Sequence, residues 1–138
     1  IGMKIFFNPA PMTKEVLNYP IDLVDCLIVN ESEAKKLTGE DLDSDEIINL
    51  LKNKYSNTSI LQTLGEKGSI YSYKTKYLKC EAMKVKAIDT TAAGDTFIGY
   101  FISHLSRDEE IKDCLSMASK AASICVTKKG GAISIPKI

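Results

Sequence analysis

Short apolar segments alternate along this chain with longer amphipathic segments, and this alternation limits the folds open to it. Residues 4–7, 26–29 and 59–63 are apolar runs typical of strands buried in a parallel sheet. Residues 93–105 and a second stretch from Ile111 onward carry apolar side chains at helical spacing. The pattern predicts an α/β fold in which helices cover both faces of a parallel or mixed sheet. At 138 residues, the chain is long enough for one domain with its own hydrophobic core.

Local signals place the remaining elements. We expect a short helix over residues 31–37 that Gly39 ends, because glycine readily adopts the left-handed conformation that closes a helix. Residues 69–73 and 77–80 are expected to pair as a β-hairpin. Apolar and polar side chains alternate over residues 83–87, which predicts a half-exposed strand.

The charge balance and the hydropathy exclude some classes of partner. Lysine and arginine together number 18, as do aspartate and glutamate, so net charge favours neither nucleic acid nor an anionic membrane. No apolar run approaches the ~20 residues that a membrane-spanning helix needs. We therefore expect no nucleic acid and no membrane among the partners.

The four cysteines and the single histidine carry no recognisable site. Cys26, Cys80, Cys114 and Cys125 show no paired spacing of the C-x-x-C type that binds metals. We expect Cys26, Cys114 and Cys125 to be small core residues, and we expect no disulfide framework, so a cytoplasmic location follows. His104 lies near a predicted helix end, where we expect a surface residue.

The stretch of residues 89–97 carries the clearest chemical signal. Its small residues precede the helix that begins near Ala93, and small residues let a backbone approach a ligand closely. The first N–H groups of a helix lack intrahelical partners, so this helix start can bind an anion. Asp95 would lie beside that anion and could take a proton from an attacking hydroxyl. The alternative is an ordinary helix start capped by an Asp or Thr side chain.

Three candidate segments follow predicted strands. Asn30 follows the strand at 26–29, Thr63 ends the strand at 59–63, and Asp89 follows the expected strand at 83–87. Ligands of open α/β sheets bind beyond the carboxyl ends of the strands. The sequence therefore predicts one site at one edge of the sheet.

These segments, in this order, resemble a known family. DTTAAGDTF at residues 89–97 is similar to the second diagnostic motif of the ribokinase-like sugar kinases, the phosphofructokinase-B type. Segments of similar order and spacing are N-P-A-P at 8–11, N-E-S-E-A at 30–34, T-L-G-E-K-G at 63–68 and V-T-K-K-G-G-A at 126–132. The resemblance implies a three-layer αβα, Rossmann-like fold.

The resemblance also implies what the chain contains. Residues 1–138 match the C-terminal, nucleotide-binding part of such a kinase, and nothing in them resembles the N-terminal sugar-binding half or its β-sheet lid. We therefore expect a fragment of a longer enzyme, inactive when isolated. Relatives usually pair through the lid, which implies a homodimer for the complete protein.

The implied activity is ATP-dependent phosphotransfer to a hydroxyl of a sugar or related small alcohol. Asp95 would be the general base, and the N–H groups of Ala92, Ala93, Gly94 and Asp95 would stabilise charge on the transferring phosphoryl group. By resemblance, the residues that contact the nucleotide are Asn30, Thr63, Gly65, Glu66, Lys67, Gly68 and Ser119. The family often has Asn near the adenine at the position of Ser119.

The resemblance implies two kinds of metal ion. Glu33 would organise Mg²⁺ and its waters. A monovalent cation, usually K⁺, binds beside the anion site in relatives. Its ligands here would be Asp89, Thr91, Cys125, Lys128, Gly130 and Ser134, with Thr91, Cys125, Lys128 and Gly130 acting through backbone carbonyls.

Several alternatives remain open. Asn30 could simply cap a helix with Glu33 exposed, and the 63–68 segment could be an ordinary hairpin turn. Ile98, Tyr100 and Ser119 depart from the family pattern, so a non-catalytic nucleotide-binding module or pseudokinase is the rival function. The acceptor could be ribose, fructose, an adenosine-like nucleoside or another polyol.

Overall fold

The computed structural model describes residues 2–138, which form a five-stranded sheet, four α-helices and several 3₁₀ turns. The strands are β1 (Phe6–Phe7), β2 (Cys26–Asn30), β3 (Ser59–Thr63), β4 (Ser69–Tyr73) and β5 (Lys76–Cys80). The α-helices are α1 (Glu31–Thr38), α2 (Ser44–Lys54), α3 (Ala93–Leu105) and α4 (Ile111–Val126). The 3₁₀ turns are Lys14–Asn18, Ile21–Leu23, Gly65–Lys67 and Gly131–Ser134.

The strands follow one another across the sheet in the order β1-β2-β3-β4-β5. β1 pairs parallel with β2, and β2 pairs parallel with β3. The connections from β3 to β4 and from β4 to β5 are too short for a parallel crossover, so each of these two strand pairs runs antiparallel. The sheet is therefore mixed, one of the two kinds that the sequence predicts.

The chain divides into two compact units. The first holds the described residues up to Leu64 together with Ile70–Lys79, and the second holds Gly65–Ser69 and Cys80–Ile138. The sheet, apart from Ser69 and Cys80, lies in the first unit with α1 and α2, and the second unit contains α3 and α4.

The core of the first unit lies between the sheet and its two helices. α1 packs on β2 and β3, and α2 packs on α1 and β3. The apolar face of α2 is buried, as Ile47, Ile48 and Leu51 show. Ile28 and Leu61 point to the opposite sheet face and are buried as well, which agrees with the expected doubly buried strands.

The second unit is built around the pair α3 and α4. Phe97 and Phe101 of α3 are buried, as are the small residues Cys114, Ala118 and Cys125 of α4. α3 and α4 pack against each other, and small side chains on α4 allow two helices to approach closely. All four cysteines are free, and those at 26, 114 and 125 are buried, as the sequence predicts.

Two expectations are wrong in this part of the chain. Residues 81–87 form no strand, and Met83 and Val85 are 53% and 43% exposed, because no described strand pairs with this segment. His104 is buried rather than superficial. Its ring stacks on Tyr100 one turn earlier, and its Nδ1 lies 2.7 Å from Glu109 Oε2.

None of the helices described in residues 2–138 combines the length and apolar character needed to cross a bilayer.

Candidate active site

In the first unit, two of the predicted site residues lie side by side. Asn30 ends β2, Thr63 ends β3, and the parallel register pairs these two residues directly. The Thr63 hydroxyl also lies 3.5 Å from the carbonyl of Val29. The carboxyl ends of β2 and β3 therefore meet at one edge of the sheet, as the sequence predicts for these two strands.

Asn30 and Glu33 form a reciprocal cap at the start of α1. Asn30 Oδ1 accepts a hydrogen bond from Glu33 N at 2.8 Å, and Glu33 Oε2 accepts one from Asn30 N at 2.9 Å. The capping interpretation of Asn30 is thus correct, but Glu33 is buried, with 8% exposure, rather than exposed. One carboxylate oxygen and the Asn30 amide nitrogen take no part in this box, so the cap does not exclude a ligand role.

The segment that connects β3 and β4 is a tight turn that belongs to the second unit. Gly65–Lys67 forms one 3₁₀ turn, closed by a 3.1 Å bond from Gly68 N to Gly65 O. Gly65 and Gly68 have φ of +58° and +104°, a region that residues with a Cβ rarely adopt. Glu66 and Lys67 between them are exposed. The turn therefore presents backbone and two charged side chains to solvent, and both glycines are required by its shape.

The start of α3 favours the anion-binding interpretation over the capping one. The N-cap residue is Ala92, which has a left-handed φ of +63° and provides no side-chain cap. The Ala93 N–H donates to the Thr90 carbonyl at 3.2 Å, so this group is already used by the local turn. Gly94 and Asp95 are exposed in the first helical turn, where N–H groups have no intrahelical acceptor.

Asp89 organises the loop before this helix start. Its Oδ1 accepts from Thr91 N at 2.9 Å, and its Oδ2 accepts from Gly130 N at 3.2 Å. Hydrogen bonding to the Thr91 side chain, followed by the Thr91 and Gly130 N–H groups, lowers the pKa of Asp89. The carboxylate is thereby kept ionised, and it joins the 89–91 segment to the loop at Gly130.

Cys125 and Ser134 lie on the inner side of the same loop, and both are buried. Cys125 Sγ lies 3.2 Å from Ser134 Oγ and 3.9 Å from the Thr91 carbonyl oxygen. Ser134 Oγ also donates to the Gly131 carbonyl at 2.5 Å. The second unit thus brings together the segments around Asp89, Thr91, Cys125, Gly130 and Ser134.

These segments offer oxygen ligands in a form suited to a monovalent cation. The carbonyls of Cys125 and Gly130 each accept one backbone bond, from Lys128 N and Ile133 N at 3.2 Å, and a carbonyl oxygen has a second lone pair. Asp89 adds one carboxylate. K⁺ is typically bound by backbone carbonyls, so the donor set fits. Among residues 2–138, no cluster of three His, Cys, Asp or Glu side chains could hold a metal ion.

Ser119 lies on α4 and is buried, with 7% exposure. Its hydroxyl donates to the Glu81 carbonyl at 3.4 Å, which connects α4 to the extended 81–87 segment. The Ser119 hydroxyl is not exposed, so it gives no support to the predicted contact with adenine. The role of Ser119 at the nucleotide stays a prediction.

Two contacts in the second unit were not predicted from the sequence. The Thr90 carbonyl accepts the Ala93 N–H that we expected to face an anion, and no pattern in the sequence signals that turn. Tyr100 bonds to the segment at 136–138, and its departure from the family pattern is the only signal that singled it out. The predicted position of Asp89 at the end of a third strand is wrong, since residues 81–87 form no strand.

Comparison with known proteins identifies extensive similarity. A model of the family described as pfkB family carbohydrate kinase matches residues 2–138. A ribokinase from Staphylococcus aureus (strain COL) is 38% identical over 139 residues, which cover 98% of this chain and 45% of the ribokinase.

Solved structures resemble the fold closely. A ribokinase from Arabidopsis thaliana complexed with ribose and ATP has 29% identity and a TM-score of 0.85, covering 99% of this chain and 45% of that chain. A double-mutant fructokinase from Vibrio cholerae O395, bound to fructose, ADP and a potassium ion, has 25% identity and a TM-score of 0.82, covering 99% of this chain and 48% of that chain. The expected α/β fold is confirmed, and the chain spans about half the length of these relatives.

Proposed function

The chain belongs to the pfkB family of carbohydrate kinases, and from this we propose that the whole protein transfers the γ-phosphoryl group of ATP to a hydroxyl of a sugar or related small alcohol. The observation that carries the proposal is the start of α3, where an uncapped helix N-terminus and an exposed Asp95 stand together. The Arabidopsis relative binds ribose and ATP, and the Vibrio relative binds fructose and ADP, which supports a sugar acceptor and an adenine nucleotide.

Asp95 would act as the general base in this reaction. Its carboxylate would take the proton of the acceptor hydroxyl as the oxygen attacks the γ-phosphorus and the bond to the β-phosphate breaks. The N–H groups of Gly94 and Asp95 would stabilise the charge on the transferring group, and the Ala92 N–H could add to them. The Ala93 N–H contributes less than the sequence suggests, because Thr90 O accepts it.

The nucleotide would be held by backbone and side-chain donors. Asn30 can offer its amide nitrogen to phosphate while its oxygen caps α1. The turn from Thr63 to Gly68 would follow the phosphates and ribose, with Lys67 as a cationic side chain for phosphate. Glu33 could hold Mg²⁺ through the water molecules bound to the ion, because one of its carboxylate oxygens stays outside the capping box. When bound, Mg²⁺ would neutralise charge on the β- and γ-phosphates.

We also propose a K⁺ site formed by Asp89, Thr91, Cys125, Lys128, Gly130 and Ser134. The hydrogen bonds of Asp89 to Thr91 and Gly130 would keep the carbonyl-bearing loop in place. A cation at this site would stiffen the loop that precedes α3 and so preserve the geometry of the helix start.

The K⁺ site predicts a salt dependence of activity. Replacing Na⁺ with K⁺ at constant ionic strength should raise the turnover of the whole protein, and Asp89→Ala should abolish the difference between the two salts. Because hydrogen bonds lower the pKa of Asp89, its stabilising contacts persist above its usual pKa and are lost only as pH falls through the lowered value. The preference for K⁺ should accordingly be insensitive to pH around neutrality.

Steady-state rates in the two salts measure this effect. Glu81→Ala is the matched control, since Glu81 is an exposed carboxylate of the same unit that takes no part in the loop. Equal rates of the wild type in Na⁺ and K⁺ would contradict the potassium assignment and leave the kinase proposal intact.

A direct assay tests the proposed reaction. The whole protein, with Mg-ATP and either D-ribose or D-fructose, should form ADP and a sugar phosphate in equal amounts, detected by coupled ADP assay and ³¹P NMR. ATP binding by calorimetry without transfer to any sugar or polyol would favour the non-catalytic nucleotide-binding alternative. We also propose that the complete protein is a homodimer and that it is cytoplasmic. The four cysteines of this chain are free thiols, which suits a reducing compartment.

A further inference from the structure

Residues 136–138, the attached segment, are joined to α3 through one side chain. The Tyr100 hydroxyl donates to the carbonyl of Pro136 and accepts a hydrogen bond from Ile138 N at 3.2 Å. Within residues 2–138, the attached segment makes no other hydrogen bond. Apolar packing holds it only weakly, since Ile138 is 52% exposed. Tyr100 is therefore the main attachment of this segment.

The Tyr100 hydroxyl is itself held in place by contacts within the second unit. The Tyr100 ring stacks on His104 one turn later in α3, with centroids 6.3 Å apart and an interplanar angle of 23°. His104 is buried, and its Nδ1 lies 2.7 Å from Glu109 Oε2. The orientation of the ring is thus restrained, and its hydroxyl provides a fixed point for the attached segment.

The attached segment begins two residues after Ser134, the last of the proposed K⁺ ligands. Asp89 Oδ2 holds the loop that carries these ligands at Gly130 N. At the other end of the loop, Ser134 Oγ lies 3.2 Å from Cys125 Sγ, and a thiol is a weak hydrogen-bonding group. The stronger restraints on the loop are therefore Asp89 near its start and Tyr100 just beyond its end.

A loop that is held at both ends binds a cation more tightly than one held at a single end. When the loop fluctuates, only a fraction of the molecules presents the Gly130 carbonyl and the Ser134 hydroxyl together, and the apparent affinity falls by that fraction. Restraint of the loop before binding also reduces the entropy that is lost when the ion binds. Tyr100 can therefore strengthen K⁺ binding without contacting the ion.

We propose that Tyr100 is a positioning residue for the K⁺ site, which it serves by holding the loop in place through the attached segment. The inference rests on the K⁺ site and the kinase function proposed above. Tyr100 and Asp95 both belong to α3, so the same two hydrogen bonds connect the cation loop to the helix that carries the proposed general base. Tyr100 departs from the family pattern, and the inference gives this departure a role.

Tyr100→Phe tests the inference, because it keeps the ring on His104 and removes both hydrogen bonds to the attached segment. In the whole protein, with KCl replacing NaCl at constant ionic strength, the K⁺ concentration that half-saturates activation should rise about fivefold. This is the factor expected for the loss of about one net hydrogen bond. At saturating K⁺, the kcat and the KM values for ATP and sugar should stay within about twofold of the wild type, because excess K⁺ refills the weakened site.

Thermal melting provides a measurement that does not depend on catalysis. The wild type should melt at a higher temperature in KCl than in NaCl, because an ion that binds only the folded protein stabilises it. Tyr100→Phe should reach the same gain only at about fivefold higher KCl. Tyr77→Phe is the matched control, since it removes a tyrosine hydroxyl that bonds to Asp45 in the first unit. That control should keep the KCl dependence of the wild type.

The possible results separate this inference from the proposals beneath it. An unchanged K⁺ dependence of rate and melting in Tyr100→Phe would overturn the inference and leave the K⁺ site and the kinase function standing. A loss of kcat that saturating K⁺ does not restore would also overturn it, because the hydroxyl would then act on the reaction itself. A wild type that responds to K⁺ in neither measurement would overturn the K⁺ site and this inference together, whereas sugar phosphorylation in NaCl would still support the kinase function.

Discussion

Asp95→Asn should lower the kcat of the whole protein by about 10²–10⁴, the range expected when a general base is removed. Asn has nearly the same shape as Asp and leaves the N–H groups at the start of α3 in place, so the KM for ATP should change little. The expectation rests on the exposed position of Asp95 in the first turn of a helix that lacks a side-chain cap. Steady-state kinetics with saturating sugar measure the change.

Asp113→Asn is the matched control for that substitution. Asp113 is likewise an exposed aspartate in the first turn of a helix, α4, and it lies outside every site proposed here. Its replacement changes the interaction of the side chain with the helix dipole by a similar amount, about 0.3–1 kcal/mol at an exposed position. If Asp95→Asn lowers kcat no more than Asp113→Asn does, Asp95 has no part in proton transfer.

Gly68→Ala should destabilise the protein by about 3 kcal/mol or more. A Cβ on Gly68 would lie 1.9 Å from the Cys80 carbonyl oxygen and 2.9 Å from Ala82 N, so backbone rather than a flexible side chain would have to move. The φ of +104° adds strain for any residue with a Cβ. Overpacking and strained backbone each cost about 1–3 kcal/mol, and here both apply.

Urea unfolding monitored by circular dichroism measures this loss. Gly99→Ala is the control, because a Cβ there meets nothing within 4 Å and Gly99 lies inside α3. Alanine is the better helix former by about 0.5–1 kcal/mol, so this variant should match or exceed the wild type in stability. Equal midpoints for the two variants would contradict the close approach of the 65–68 turn to residues 80–82.

Local patterns predicted the elements whose signals lie within a few residues. Asn30 caps α1, which is one of the two interpretations that the sequence left open, and Gly39 has the left-handed φ of +73° that ends the helix. The apolar spacing around Phe97 and Phe101 correctly gives a helix over residues 93–105. Each of these features depends on residues that are close together in the sequence, so the sequence alone shows them.

Features that depend on distant partners escaped prediction. Alternation over residues 83–87 is compatible with a strand, but a strand exists only where another strand pairs with it, and alternation contains no information about that partner. His104 is buried because Glu109 and the Tyr100 ring surround it. Of the candidate site, the sequence correctly predicted that Asn30 and Thr63 lie at one edge of the sheet, but it could not predict that the Thr90 carbonyl accepts the Ala93 N–H.

The capping box at the start of α1 has a consequence for mutational tolerance at position 30. Asn30 caps the helix through its oxygen, whereas the proposed contact with phosphate uses its nitrogen. Aspartate would retain the cap and replace the donor with a negative charge, and alanine would lose both functions. A library selected only for protein abundance would therefore keep aspartate at this position, and one selected for growth on the sugar would discard it. Residues that serve folding and binding through different atoms can be recognised by such a disagreement between two selections.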